Sequence, residues 1–191
     1  MPRNLILYGA AILVGLVAYG LLRSLLGFEM MMIVGLLILV VVGIVVVRNL
    51  QTNRKVADAP PEQRAQALAF APAADKATLY VFRNQFVGRA VGINVLIDGR
   101  EVAQLKSPRF TRILLTPGAH RIAGYTGTNK KPADGEGLAF NANAGEIIVM
   151  KTEVEPQVVG VLVKFTPLAL DAARADVKKI AKMVTPDLAE I

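Results

Sequence analysis

The sequence contains no cysteine, no tryptophan and one histidine in 191 residues. The lack of cysteine excludes disulfides and thiolate metal sites, and it gives no information about the redox compartment. A single histidine also excludes a histidine-rich metal centre. Charged residues make up only 19% of the chain, whereas 53% of it is hydrophobic. The composition therefore points away from metal and thiol chemistry and towards a protein organised around apolar sequence.

Two apolar runs without a charged residue occupy the first quarter of the chain, at 5–22 and 30–47. Each has roughly the 17–25 residues that a helix needs to cross a hydrocarbon core. Only residues 23–29 separate the runs, so a transmembrane hairpin of two antiparallel helices is expected over residues 1–48. The first run is longer than the apolar core of a signal peptide, and no convincing cleavage site follows it. These features favour retention of both helices.

Small residues recur inside both apolar runs. Ala11 and Gly15 are four residues apart in the first run, and Gly35 and Gly43 lie two turns apart on one face of the second. Small residues let helix backbones approach closely in a membrane, which makes these four positions candidates for helix packing. The alternative is that they are ordinary members of membrane helices, in which glycine and alanine are common.

The formal net charge is +7, and the basic residues near the apolar runs predict an orientation. Arg3 precedes the first run, and Arg48, Arg54 and Lys55 follow the second, whereas Arg23 lies in the turn. Basic residues favour the cytoplasmic side, so both termini and the following domain are expected in the cytoplasm. The remaining charges are scattered, which argues against nucleic acid as a partner. Those in the β-rich region, Arg83 among them, are expected to face solvent from an alternating sheet. The expected partners are the lipid bilayer and other integral membrane protein subunits.

The sequence after the second run divides into a linker, a β-rich region and a C-terminal helix with a tail. Residues 49–76 are rich in alanine and proline and read as a linker, with a short helix possible over 62–70. From residue 77 to 166 the pattern has a period of two, which predicts an all-β sandwich of about 7–8 antiparallel strands. Asp98-Gly99 is a strong signal for a hairpin turn. The strand-like runs are 77–83, 90–98, 101–106, 110–115, 119–126, 136–142, 146–154 and 158–165.

Residues 167–191 are expected to form an amphipathic helix, over 171–183, followed by a tail. Its apolar stripe predicts packing on the sandwich or on a partner, because it lacks the bulky aromatic residues of strong membrane binders. The basic side is a candidate surface for lipid or a partner. The apolar stripe comprises Leu170, Ala173, Val177, Ile180 and Val184, and the basic side comprises Arg174, Lys178, Lys179 and Lys182.

A set of short motifs between residues 77 and 165 carries a resemblance to a known family. The segment is similar to PEGA-type domains and to related bacterial β-sandwich families of unknown function. The resemblance covers roughly residues 77–165, makes no claim on the hairpin, and implies a sandwich fold with a surface, adhesion or scaffolding role and no known active site. Together with the two apolar runs and their basic flanks, it leads us to expect a multi-pass protein of the bacterial inner membrane. The motifs are LYVFR at 79–83, VLIDG at 95–99, LLTPGAHRI at 114–122, GY at 124–125 and NAGE at 143–146.

No catalytic constellation can be assembled from the remaining residues. His120 is the single histidine and has no nucleophile or orienting carboxylate that the sequence identifies, so a structural or solvated role is expected. The glycines near Lys130 and Lys131 do not match a phosphate-binding loop, because Pro132 follows. We expect no catalytic residue, cofactor or metal. The sequence predicts a non-catalytic accessory or scaffolding subunit of a larger membrane complex, such as a respiratory or photosynthetic one. The alternative is a free-standing anchored module that binds a peptide, glycan or lipid headgroup through loops 84–90 and 127–135.

Overall fold

The computed structural model describes residues 3–86, 88–127, 129–157 and 161–191. The chain divides into two compact units, Met1–Val47 and Arg48–Ile191. The first unit belongs to a single helical element, and the second is a β-rich body with two short helices.

Helix α1 (Arg3–Gln51) passes through both apolar runs and is interrupted at Gly27. Gly27 has φ 71° and ψ 172°, a non-helical conformation that favours glycine. This break falls inside the predicted turn 23–29, but the structure does not show a separate second helix of a hairpin. The stretch Leu13–Ile44 has a mean hydropathy of 2.7 and none of it is buried, so by length and composition it is able to span a membrane.

The body contains two sheets of four strands each. The first sheet has the order β4-β1-β7-β8, and the second has the order β3-β2-β5-β6. The strands coincide with the predicted runs within a few residues, which confirms the alternating pattern as a β signal. Their bounds are β1 (Ala77–Arg83), β2 (Ile93–Ile97), β3 (Arg100–Leu105), β4 (Arg109–Leu115), β5 (Gly118–Thr126), β6 (Leu138–Ala142), β7 (Ile147–Pro156) and β8 (Val161–Leu168).

The inward faces of the two sheets share one core, in the manner of a sandwich. Leu79 and Val81 of β1 pack in the same cluster as Val95 and Ile97 of β2. The expectation of purely antiparallel strands is wrong at one pair, because β1 and β7 run parallel from Thr78–Ile147 to Phe82–Lys151. A parallel pair needs a long crossover, and here the intervening strands supply it. Strand β1 therefore lies in the interior of its sheet and is buried along its whole length.

Helices α2 (Pro61–Leu68) and α3 (Leu170–Lys179) cover the outer face of the first sheet. Ala173 and Val177 of α3 pack with Tyr80 and Phe82, which confirms this part of the predicted apolar stripe and its packing on the sheet, whereas Val184 of the stripe lies beyond the helix. The helix is shorter than the predicted 171–183, because Ile180 adopts an extended conformation. The following residues leave the helix to pair with a strand, so the helix ends well before Pro186.

The C-terminal tail and the predicted linker close one side of the body. Val184 is bridged to Asp58, and its backbone N–H donates to the carbonyl oxygen of Phe110 in β4 at 2.7 Å. Further along the tail, the N–H of Asp187 donates to the carbonyl of Val102 in β3, also at 2.7 Å. The tail thus joins the β3 edge of one sheet to the β4 edge of the other. We call this the sealed side of the body, and the side with β6 and β8 the open side.

Residues 52–60 are bonded to the body, although the sequence predicts a linker there. The Asn53 amide donates to the carbonyl oxygen of Ala90 at 2.9 Å, and the N–H of Arg54 donates to Oε1 of Gln104 at 2.8 Å. These bonds lie at one end of the sheets, which we call the entry end because the chain enters the body there. The turn at Asp98 and Gly99 lies at the other end, the far end.

Candidate functional site

His120 lies near the start of β5, at the far end. Its side chain is buried, with 8% exposed, and both ring nitrogens have partners. Nδ1 lies 2.7 Å from Oδ2 of Asp98, and Nε2 lies 2.7 Å from the carbonyl oxygen of Thr116. The second carboxylate oxygen of Asp98 accepts the backbone N–H of Arg121 at 2.8 Å. Asp98 is the orienting carboxylate that sequence reasoning missed, since the turn that presents it was interpreted only as a turn.

The two partners of His120 favour its protonated form. A carboxylate and a carbonyl both accept, so the doubly protonated imidazolium satisfies both of them. Burial disfavours the charged ring, but the hydrogen bonds that the ring donates to Thr116 and Asp98 outweigh this effect and raise the pKa of His120. Because neither nitrogen is free, the pair has no proton acceptor to offer a substrate. This geometry supports the predicted structural role of His120 and not a general base.

The His120–Asp98 pair predicts a pH-dependent contribution to stability. The pKa of His120 is higher in the folded body than its unfolded value of about 6.5. The pair therefore contributes its full stabilisation below about pH 6.5, and this stabilisation is lost as the pH rises through the folded pKa. Asp98→Asn should lower the pKa of His120. The sequence has only one histidine, so its ring proton signal in a proton NMR titration is unambiguous. Asp134→Asn is the matched control and should leave the titration in place, and an unchanged pKa in Asp98→Asn would contradict the assignment.

The long loop after β5 folds over the outer face of the second sheet. Residues 132–136 and the Asp98-Gly99 turn line a cleft of about 250 Å³ above Leu96. The loop is closed on itself, since Oε2 of Glu136 accepts the N–H of Ala133 at 3.0 Å. Residue 128 of the predicted recognition loop 127–135 and residue 87 of the predicted recognition loop 84–90 lie outside the described residues.

An apolar groove of about 420 Å³ lies on the open side. Its walls include Leu138 of β6 and Leu162 of β8, which is 51% exposed. Its floor depends on Gly124, because a Cβ there would lie 3.0 Å from side-chain atoms of both Val163 and Phe165. The groove therefore depends on the close approach of β5 and β8 at Gly124, where a larger residue would crowd the side chains of β8.

A basic cleft of about 350 Å³ lies at the entry end, between residues 53–56 and the β3–β4 corner. Its four basic residues differ in their pairing. Arg54 bonds to Asp187 at 2.8 Å, and the Arg109 guanidinium lies 3.0 Å from the carboxylate of Asp58. Lys55 and Lys106 form no ion pair among the residues that the structure describes. In the sequence, Arg54 and Lys55 are recognisable as basic residues that follow the second apolar run. The sequence does not show that β3 and β4 bring Lys106 and Arg109 beside them.

Arg83 is buried, and its expectation as a solvent-facing residue of the sheet is wrong. Its guanidinium donates to the carbonyl oxygens of Val91 and Gly88, the latter at 2.9 Å, and lies 3.5 Å from that of Leu105. Burial lowers the pKa of Arg83 to about 10, against the opposing effect of Glu153, so the group stays charged at neutral pH. The arginine clamps the loop between β1 and β2. Phe86 projects from this loop with 83% of its surface exposed.

The predicted helix-packing residues lie along α1. A Cβ placed on Gly15, Gly35 or Gly43 would meet no atom within 4 Å, so these positions are open on the helix surface. The side chain of Ala11 lies outside the described residues.

The predicted basic surface of the C-terminal helix is divided in the structure. The Arg174 guanidinium stacks over the Phe70 ring at 5.4 Å, and Lys182, beyond the helix end, lies 2.8 Å from Asp58. Lys178 is exposed, and Lys179 lies 3.5 Å from the Asp176 carboxylate on the same helix. Only Lys178 and Lys179 thus remain as an exposed basic pair on α3.

Within the part of the chain that the structure describes, no group of three acidic or histidine side chains is placed to hold a metal ion. The geometry offers instead a paired histidine at the far end, an apolar groove on the open side and a basic cleft at the entry end. Comparison with protein-family models, with curated proteins and with solved structures gives no match to this chain.

Proposed function

We propose that the chain is a membrane-anchored, non-catalytic accessory subunit of a larger membrane-protein complex. The observation that carries this proposal is the apolar stretch Leu13–Ile44, none of which is buried. Such a surface needs hydrocarbon or other apolar helices around it. The pairing of both His120 nitrogens supports a binding role for the body over a catalytic one.

The break at Gly27 supports two membrane passes that meet in a hairpin. A straight helix rises about 1.5 Å per residue, so 32 residues would extend about 48 Å, beyond a hydrocarbon core of about 30 Å. Two passes, over 5–22 and 30–47, match that thickness. The basic residues after the second pass favour the cytoplasmic side, so we propose that the body lies in the cytoplasm at a bacterial inner membrane. Protection of the body from added protease in inverted inner-membrane vesicles would contradict this orientation.

The open-side groove is the surface through which the body would contact the partner's extramembrane part. The tail and residues 52–60 occupy the sealed side, whereas Leu138 and Leu162 remain exposed on the open side. Pro167 removes one backbone donor from edge strand β8, which disfavours indiscriminate strand pairing. The groove therefore suits an apolar side chain of the partner better than an added strand.

Purification from native membranes in a mild detergent, with mass spectrometry of the retained proteins, tests the proposal. The wild-type chain should bring down a defined set of membrane proteins. Leu162→Asp should reduce their recovery at least tenfold, because a charge in the groove must be desolvated on binding. Ala119→Asp, an exposed far-end substitution, is the matched control and should retain them. Recovery of the wild-type chain as a lone monomer would contradict the proposal.

The second candidate function is a free-standing anchored module that recognises a small ligand through its loops. The observation that favours it is the clamped loop of Phe86, which Arg83 holds in place without any partner protein. The same purification distinguishes the two functions, since a free-standing module would migrate alone. The resemblance to PEGA-type domains is compatible with either function and stays a prediction.

A further inference from the structure

The entry end of the body combines four basic side chains with one exposed aromatic side chain. Asn53 joins the two features, because its side chain donates to Ala90 in the Phe86 loop and accepts the N–H of Gly92 at 2.7 Å. The carbonyl of Arg89 in the same loop accepts the N–H of Ser107, next to Lys106. The loop and the basic cleft therefore border each other at the end where the chain follows α1.

The walls of the basic cleft are fixed by buried hydrogen bonds. Gln104 is 2% exposed, and its side chain accepts the N–H of Arg54 and donates to Oδ1 of Asn94 at 2.8 Å. Arg54 is further held by Asp187. The cleft thus exists before any ligand binds, and a ligand meets no cost of assembling it.

The charge of the cleft identifies the chemistry of the ligand. Asp187 and Asp58 already pair with Arg54 and Arg109, which leaves Lys55 and Lys106 to meet an external anion. Lysine ammonium groups bind phosphate as compact point charges. Phe86 adds an apolar side chain that favours the boundary between lipid headgroups and acyl chains.

We propose that the entry-end cleft binds the phosphate of an anionic phospholipid headgroup, with Phe86 inserted at the level of the headgroups. The proposal rests on the proposed membrane anchoring. The anionic cytoplasmic leaflet is where such a cleft finds its ligand, since basic residues near a membrane surface are attracted to acidic lipids. Binding would hold the body at a defined distance from the bilayer surface. The open-side groove would then lie at a fixed height for contact with a partner subunit.

Native mass spectrometry of the full chain tests the lipid assignment. The chain is incubated in mild detergent with equal amounts of phosphatidylglycerol and phosphatidylcholine carrying the same acyl chains. Wild type should retain phosphatidylglycerol preferentially. The double variant Lys55→Ala and Lys106→Ala should lose about twenty-five-fold in that preference, roughly fivefold for each lysine. The double variant Lys178→Ala and Lys179→Ala removes the same charge from α3 and should keep the preference.

Three outcomes would overturn the assignment: no preference in wild type, an unchanged preference in the cleft variant, or an equal loss in the α3 control. Inorganic phosphate supplies the same anion without a lipid, so complete displacement of phosphatidylglycerol by millimolar phosphate would assign the cleft to a free phosphate instead. Alkaline carbonate extraction of native membranes tests the anchoring separately. Release of the chain by carbonate would contradict the proposed function. Retention of the chain together with any of those three outcomes would contradict only the assignment of the cleft to a phospholipid.

The Phe86 part of the proposal has its own probe, because the sequence has no tryptophan. Phe86→Trp in nanodiscs should fluoresce at shorter wavelength than in water and should be quenched by lipids that carry a nitroxide near the headgroup. Ala119→Trp, exposed at the far end, should remain unquenched. Equal quenching of both variants, or of neither, would contradict insertion of Phe86.

Discussion

A chain that ends at Met183 is expected to lose about 4–6 kcal/mol of folding stability. The deletion removes Val184, which is fully buried, together with Leu188 and Ile191, which pack against the same core. A buried aliphatic side chain contributes about 1.5–3 kcal/mol, and partial burial of the last two lowers the sum. The backbone bonds from the tail to β4 are lost as well. This loss approaches the whole stability of a typical domain.

The deletion should also cause self-association, because it uncovers the edge of β4. Urea unfolding followed by circular dichroism measures the stability, and hydrogen exchange at residues 110–116 measures the exposure of the edge. Substituting Ala189→Gly and Glu190→Gln in the full-length chain is the control, since both side chains are exposed. A deletion that costs less than about 1 kcal/mol would show that the tail does not seal the body.

Replacing Arg83 with methionine is expected to cost about 2–4 kcal/mol and to release the Phe86 loop. Methionine fills a similar volume but leaves the carbonyls of Val91 and Gly88 without their buried donor. Each unsatisfied buried polar group costs about 1–3 kcal/mol, and removal of a buried charge returns part of that. The effect should therefore exceed that of most single substitutions.

Hydrogen exchange should show the release as faster exchange over residues 84–91, with little change in β7 or β8. Arg89→Met is the matched control, because Arg89 is an exposed arginine of the same loop. Equal effects from the two substitutions would mean that Arg83 acts through charge alone and not through its bonds to the loop.

The sequence pattern predicted the strands and the amphipathic stripe because both depend on local periodicity. Ala173 and Val177 face the first sheet as their spacing of four requires. The turn at Asp98 and Gly99 was predictable for the same reason, since both residues adopt the positive φ that this dipeptide favours.

The parts that periodicity could not predict depend on which distant segments meet. The local sequence does not predict that Asp187 lies beside Arg54 or that Lys106 lies beside Lys55. These contacts form because the tail covers the β3 and β4 edges of the two sheets. The burial of Arg83 was missed because a charged residue at a strand end usually faces water. The two apolar runs predict a hairpin of two helices, whereas the structure has one helical element that is interrupted at Gly27.

The parallel pairing of β1 with β7 has a consequence for the order of events during synthesis. Strand β1 cannot complete its sheet until β7 has been made, and the tail must follow before the β3–β4 side can close. Contacts between such distant segments slow folding, because the chain must close long loops before it gains from them. The apolar N-terminal helix, by contrast, forms from local bonds. The body is thus expected to complete its folding only after β7 and the tail have been synthesised.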